Sequence, residues 1–174
     1  MVPAVSTPAL ALLQARGVAH TVHRYEIDEL SGQETHRGER LVYGVAAAAA
    51  LGVAPGQLFK TLVVTLAGSG TTSELVLAVL PSDSTLSERA VATVFSAKRA
   101  ILSSHSDVMR ATGSVPGGVS PISTRQTMRT VIDVGALSFP NILISAGRRG
   151  LAVALAPEDL GAICSAAYAE ICTR

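Results

Sequence analysis

The stretch Leu58-Phe59-Lys60-Thr61-Leu62-Val63-Val64-Thr65-Leu66 reads LFKTLVVTL. All but one of its residues suit a buried or half-buried strand, and the exception is a lysine near its start. A second run of the same character, ELVLAVLP over 74–81, follows across the small-residue segment AGSGTTS at 67–73. Two apolar strands joined by Gly, Ser and Thr predict a β-hairpin. That hairpin anchors the reading of everything around it.

Upstream, Thr7-Pro8 followed by ALALLQARG combines an N-cap, a proline at the first helical position and a glycine just past the end. A helix is expected from about Pro8 to Arg16. VAHTVHRYEI then alternates as a strand with one wet face. DELSGQETHRGER, 28–40, is polar and reads as an exposed loop, and LVYGVAAAAALGV reads as an alanine-rich helix closed by Gly52 with Pro55 beyond. Downstream, Thr85-Leu86-Ser87-Glu88 has capping-box spacing and opens the helix SERAVATVFSA. SDVMRATG predicts a short helix and SVPGGVSPIS a loop. TVIDVGAL, NILISAG and LAVALA predict three more strands. Pro157-Glu158-Asp159 starts a last helix, expected to continue through LGAICSAAYAEIC.

The order helix, strand, helix, hairpin, helices, strands, helix fits neither an alternating doubly wound sheet nor an all-β barrel. The expected fold is mixed α/β of the α+β kind. It is one domain over 1–174, a mixed and largely antiparallel sheet with helices packed around it. No Pro/Ser-rich linker and no internal repeat divides the 174 residues.

Composition narrows the function. Hydrophobic residues make up 48% and charged residues 16%, which excludes a disordered chain. The net charge of +1 argues against a protein that grips nucleic acid unaided, because phosphate contacts dominate such affinity. With 3% aromatic residues and no Trp, a base-stacking platform is not expected either. No apolar run is long enough to cross a bilayer, and the first residues lack the basic start and cleavage site of a signal peptide. A cytoplasmic protein is expected. Cys164 and Cys172 fall on the expected last helix, too far apart to pair, and read as reduced core residues.

The scan for chemistry removes most options. His20 and His23, three apart on a strand, point to opposite faces, and no metal-ligand spacing occurs. GSGTTS neither opens a helix nor leads to Gly-Lys-Ser/Thr, so it is a turn and not a phosphate cradle. No Gly-x-Ser-x-Gly is present, and Asp133, at a strand end, reads as a loop cap. Four features remain. Lys60 is either an edge lysine that discourages aggregation or a functional cation. VPGGVSP, 115–121, is either a plain turn or a place where backbone N–H groups approach a ligand. Ser145 ends the strand in NILISAGRRGL, and its hydroxyl can bind a substrate or simply end the strand. Tyr25 closes the early strand.

In this order the pieces resemble the YbaK-like family of aminoacyl-tRNA deacylases, whose domain is related to the editing domain of bacterial prolyl-tRNA synthetases. The likeness runs through TPALALLQARGVAHTVHRYE, LFKTLVV, ATGSVPGGVSPI, TVIDVGAL and NILISAGRRGLAVALAPEDL. It implies a barrel-like sheet and the removal of a wrong amino acid, typically cysteine from proline tRNA, without metal or cofactor. It implies Lys60 as the catalytic residue, with Tyr25, Thr61, Gly117, Gly118 and Ser145 binding the substrate. The partners it implies are the 3′ end of a mischarged aminoacyl-tRNA and prolyl-tRNA synthetase. In the cysteine-removing group the substrate thiol attacks its own ester, making the enzyme a lyase; with water as nucleophile it is a hydrolase. The alternatives are water-mediated removal of alanine or another small residue, and a non-catalytic module binding tRNA or a synthetase. Two departures stand out: Ala152 replaces a family aspartate, and the 28–40 region is longer than the family pattern.

Overall fold

The hairpin forms as expected. β2 (Phe59–Ala67) and β3 (Ser73–Pro81) pair antiparallel in unbroken register, with Lys60 opposite Leu80 and Thr61 opposite Val79. The computed structural model describes residues 6–27, 36–68 and 73–173. Around the hairpin lies a five-stranded sheet ordered β4-β2-β3-β5-β8, with β4 at Arg99–Leu102, β5 at Thr130–Asp133 and β8 at Ala167–Ala169. β2–β4 is antiparallel, whereas β3–β5 and β5–β8 are parallel. A second sheet, β1-β7-β6, is antiparallel throughout and uses β1 (Thr21–Arg24), β7 (Leu151–Leu155) and β6 (Ile142–Ser145). One parallel bridge, Leu58 to Leu143, joins the two sheets, so the barrel-like arrangement stays open. No described helix is long and apolar enough to cross a membrane.

The main core fills the space between the sheets, with Phe59, Val79, Ile132, Ile142, Ile144, Leu151 and Val153 all at most 2% exposed. Strand alternation sends the other face of β6 and β7 outward, where Leu143, Ala152 and Ala154 meet Leu58 and the Ala47 and Ala48 pair of α2 (His36–Leu51). Small alanines let that helix lie close to the sheet. Helix α1 (Pro8–Ala15) is capped as expected: Thr7 Oγ1 accepts from the Leu10 N–H and donates to the Ala146 carbonyl at 2.5 Å, fixing the helix start to the end of β6.

Four expectations need correction. Residues 36–40, expected to be loop, are the first residues of α2, while 28–35 of that region lie outside the described residues. The cap of α3 (Glu88–Val94) is Ser87, which accepts from the Ala90 N–H, and not Thr85; the Glu88 carboxylate turns away to accept from the Leu102 N–H of β4. The last helix, α5 (Pro157–Cys164), stops where Ser165 turns left-handed at φ 49°, and β8 follows it. Cys164 therefore ends α5 while Cys172 lies beyond β8, joined to Leu86 by a backbone β-bridge, and both are half-buried and free. Strand β5 ends at Asp133, whose two carboxylate oxygens accept from the Gly135 and Ile171 N–H groups, the loop cap expected of it. Helix α4 (His105–Thr112) forms with Ser104 as its cap.

Candidate functional site

The turn between β6 and β7, residues 146–150, is the hub of the site. Tyr25, just beyond β1, donates its backbone N–H to the Gly150 carbonyl at 3.1 Å. Ser145 Oγ accepts from the Gly147 N–H at 3.3 Å, which leaves its own hydroxyl proton to donate. The glycine loop closes on the same turn: Arg149 Nε donates to the Pro116 carbonyl at 2.9 Å, and the Ser114 hydroxyl donates to the Gly147 carbonyl at 3.4 Å.

The two loop glycines do different work. Gly117 is exposed and left-handed at φ +84°, where a side chain is strained. A Cβ there would sit 3.3 Å from the Tyr43 ring and 3.3 Å from Arg149 Nε. Gly118 is buried, and a Cβ on it would meet the Arg149 backbone nitrogen at 3.0 Å. Its N–H already donates to the Val115 carbonyl. Gly118 thus sets the approach of the loop to the turn, and Gly117 carries the outward-facing backbone.

Helix α2 roofs this group through two consecutive residues the sequence reading did not single out. Tyr43 touches Gly117, lies 5.8 Å beneath the Arg149 guanidinium and couples to the Tyr25 hydroxyl. Burial first, and Tyr43 second, push the Tyr25 hydroxyl far above its ordinary pKa, so it stays a neutral phenol. Gly44 presses on Ser82 at the end of β3.

Lys60 belongs to the α2 side as well, since alternation places it on the same face as Leu58. β3 pairs with it on one side at Leu80, whereas β4 pairs with this strand only over residues 64–67; the lysine is half-buried rather than an exposed edge charge. The half-buried ammonium donates to the Ser82 carbonyl at 3.2 Å and to the Ser84 carbonyl at 2.5 Å. It stands near enough to Cys172 for its charge to act on that thiol. Lys60 and Gly117 are thus linked through the adjacent Gly44 and Tyr43. Thr61 points through the sheet to the opposite face, on the side of Phe59 and Val63, and its buried hydroxyl has no hydrogen-bond partner among the described residues. Ala152, opposite Ser145 in the β6–β7 register, is 1% exposed within the alanine and leucine cluster under α2. Among the described residues no three His, Cys, Asp or Glu side chains converge as a metal-ligand set.

Of the sequence candidates, Tyr25, Gly117, Gly118 and Ser145 come together around one turn, and Lys60 joins them through α2. Tyr43, Gly44, Arg149 and the Ser82–Ser84 carbonyls were missed. The only local signal was a Tyr-Gly pair opening an otherwise alanine-rich run, and a Gly-Arg-Arg-Gly turn.

Three comparisons bear on this arrangement. Residues 42–163 match the model of the family described as "Aminoacyl-tRNA editing domain". A protein of Enterococcus faecalis named "Putative Cys-tRNA(Pro)/Cys-tRNA(Cys) deacylase EbsC" is 31% identical over 150 residues, covering 86% of each chain. Among solved structures, one of a hypothetical protein superposes with a TM-score of 0.79 at 22% identity, over 96% of this chain and 100% of the other. Another, a "putative trans-editing enzyme for prolyl tRNA synthetase", gives 0.75 at 20% identity over 98% of this chain and 100% of its own. At those identities the structures establish a shared fold. The family match takes in most of α2, with β2, the glycine loop and the β6–β7 turn, though not Tyr25, and by it this chain belongs to the aminoacyl-tRNA editing domain family.

Proposed function

We propose that this chain deacylates mischarged aminoacyl-tRNA, with Cys-tRNA(Pro) as its substrate, and that the thiol of the esterified cysteine is the nucleophile. The observation that carries the reading is the 31% identity, across 86% of both chains, to the protein named as a Cys-tRNA(Pro)/Cys-tRNA(Cys) deacylase. The chemistry of the site agrees with it. Both protein thiols are pushed up to about 12, Cys164 by burial and Cys172 by burial and the nearby Asp133, so neither is a nucleophile at neutral pH. An exposed glycine and the Ser145 hydroxyl stand at the turn, and the Lys60 cation is linked to them through α2; these are groups that stabilise charge without attacking carbon.

In this reaction the substrate thiol loses its proton, sulfur bonds to the ester carbonyl carbon, and the bond from that carbon to the ribose oxygen breaks. The ribose oxygen takes up a proton, and cysteine leaves as a small thiolactone ring that water later opens. The site's task is to hold the ester and the thiol in contact, where proximity alone is worth several kcal/mol. It also stabilises the oxyanion, with Lys60, the Gly117 N–H and the Ser145 hydroxyl as donors. Lys60 is already positioned by the Ser82 and Ser84 carbonyls. Gly118 supports the pocket from the loop and Tyr25 from the end of β1, whereas Thr61, on the opposite face of the sheet, would act only by supporting the strand that carries Lys60.

A near-neutral chain gains little from phosphates at large, so prolyl-tRNA synthetase in the cytoplasm is the partner that would supply most of the grip on the tRNA. A second reading, water-mediated removal of alanine, is favoured by Ala152, whose place beside Ser145 is apolar and closely packed. Turnover of a panel of mischarged tRNAs, with and without a trap for the cyclic thioester, separates the two. Cysteine release with a trapped ring is expected. Release of alanine instead would transfer the assignment, and a panel left intact would end both readings.

A further inference from the structure

Two exposed arginines follow Ser145 in the hub turn. Arg149 is the fixed one. Its Nε is bound to the Pro116 carbonyl at 2.9 Å, its guanidinium carbon sits 5.8 Å from the centroid of the Tyr43 ring, and Gly117 lies beneath both. A guanidinium carries five N–H donors in a rigid fork. Among the described residues only the Pro116 carbonyl takes one of them, which leaves the rest of the fork to meet a ligand at the rim of the glycine loop. A planar, permanently charged fork held by an aromatic ring and a carbonyl suits a phosphate diester. In a chain of net charge +1 there is no diffuse basic field, and a backbone phosphate would have to be met by a positioned cation.

We propose that Arg149, oriented by the Tyr43 ring and the Pro116 carbonyl, binds a backbone phosphate of the single-stranded 3′ end of the aminoacyl-tRNA. This rests on the deacylase reading above. Because Ser145 and Arg149 occupy one turn, a phosphate held at Arg149 places the terminal ester over Ser145 and Gly117. Arg149 is a binding residue in this scheme, and Tyr43 positions it.

The test is the salt dependence of KM for Cys-tRNA(Pro). One phosphate contact on a single strand contributes about 0.7 to the slope of log affinity on log salt. Arg149→Ala is expected to lower the slope by about that amount and to raise KM roughly tenfold at low salt, with kcat little changed. Arg149→Lys should recover most of the slope. Tyr43→Phe should behave as the parent, whereas Tyr43→Ala should raise KM. The exposed Arg148→Ala is the control for general loss of charge. An unchanged slope in Arg149→Ala, an equal fall in Arg148→Ala, or a fall in kcat with KM unmoved would overturn the proposal. The same slopes are read from binding of an uncharged acceptor-stem hairpin ending in CCA, followed by fluorescence anisotropy. A parent protein that binds the hairpin with this Arg149 signature yet deacylates nothing would sink the deacylase reading alone. Deacylation without the signature would sink this one alone.

Discussion

Gly44 of α2 lies against Ser82 more closely than any side chain allows: a Cβ at position 44 would come 2.7 Å from Ser82 Cβ and 3.1 Å from its carbonyl oxygen. That same carbonyl accepts from the Lys60 ammonium. The height of the helix above the sheet and the position of the cation are therefore set at one contact.

Gly44→Ala brings two effects of opposite sign. Alanine favours the helix by up to about 1 kcal/mol. Overpacking a close contact costs typically about 1–3 kcal/mol, and here both partners sit on fixed elements, the buried Ser82 being tied by its hydroxyl to the Pro55 carbonyl at 2.9 Å. The clash should win. We expect a lower melting temperature and slower deacylation, because the strain falls on the carbonyl that holds Lys60. Ser82→Gly in the same chain removes the opposing Cβ and should restore part of both. A double variant no better than Gly44→Ala would show that the contact is not what limits the single one.

The Lys60 ammonium donates to the Ser82 and Ser84 main-chain carbonyls, so its removal separates fold from chemistry more cleanly than loss of a packed core residue would. Lys60→Ala should fold, with a modest fall in melting temperature, and should lose about a hundredfold or more in single-turnover deacylation, the usual cost of deleting one group that stabilises developing charge. Lys60→Arg should not rescue it, because a broad planar guanidinium does not replace a compact ammonium between two carbonyls. Full turnover by a folded Lys60→Ala protein would remove the lysine from the mechanism.

What the sequence made legible was mostly what neighbouring residues decide. The β2–β3 hairpin follows from two apolar runs and a small-residue connection, and α1 from a Thr cap, a Pro and a Gly. β8 was hidden because SAAYAE has good helix formers. It exists as a strand through parallel pairing with β5, a partner more than thirty residues upstream, once Ser165 has ended α5. The Thr85 cap failed for a similar reason: Glu88, the second half of the expected box, is drawn off by the Leu102 N–H of a strand that the local pattern did not reveal. Within the site, Tyr25, the glycine loop and Ser145 stood out by residue type and position, and the order of motifs in a resemblance gave them roles. Tyr43 and Gly44 did not, since an aromatic and a glycine in an alanine-rich helix acquire meaning only from what lies opposite. The structure supplies that: Gly117, Arg149 and Ser82.

The last prediction concerns nucleophiles. Both thiols are raised to about 12, Cys164 by burial and Cys172 first by burial and then by Asp133. The Cys164 thiol donates to the Pro121 carbonyl at 3.4 Å. At pH 8 the folded protein should therefore react with iodoacetamide far more slowly than a free cysteine, whose pKa is about 8.5, as intact-mass measurements over time would record. The linkage sign follows from the same shift. A folded-state pKa above the unfolded one means that the native chain keeps its thiol protons while the unfolded chain gives them up. The stabilisation is complete below about pH 8.5 and is lost as pH climbs from there towards about 12. Urea midpoints should fall between pH 8 and pH 10.5, and fall less in a Cys164→Ala, Cys172→Ala double variant. That variant should also keep deacylating Cys-tRNA(Pro), since the attacking sulfur is the substrate's own. Rapid alkylation at pH 8, or loss of turnover in the folded double variant, would place a nucleophile on the protein and end the substrate-thiol mechanism.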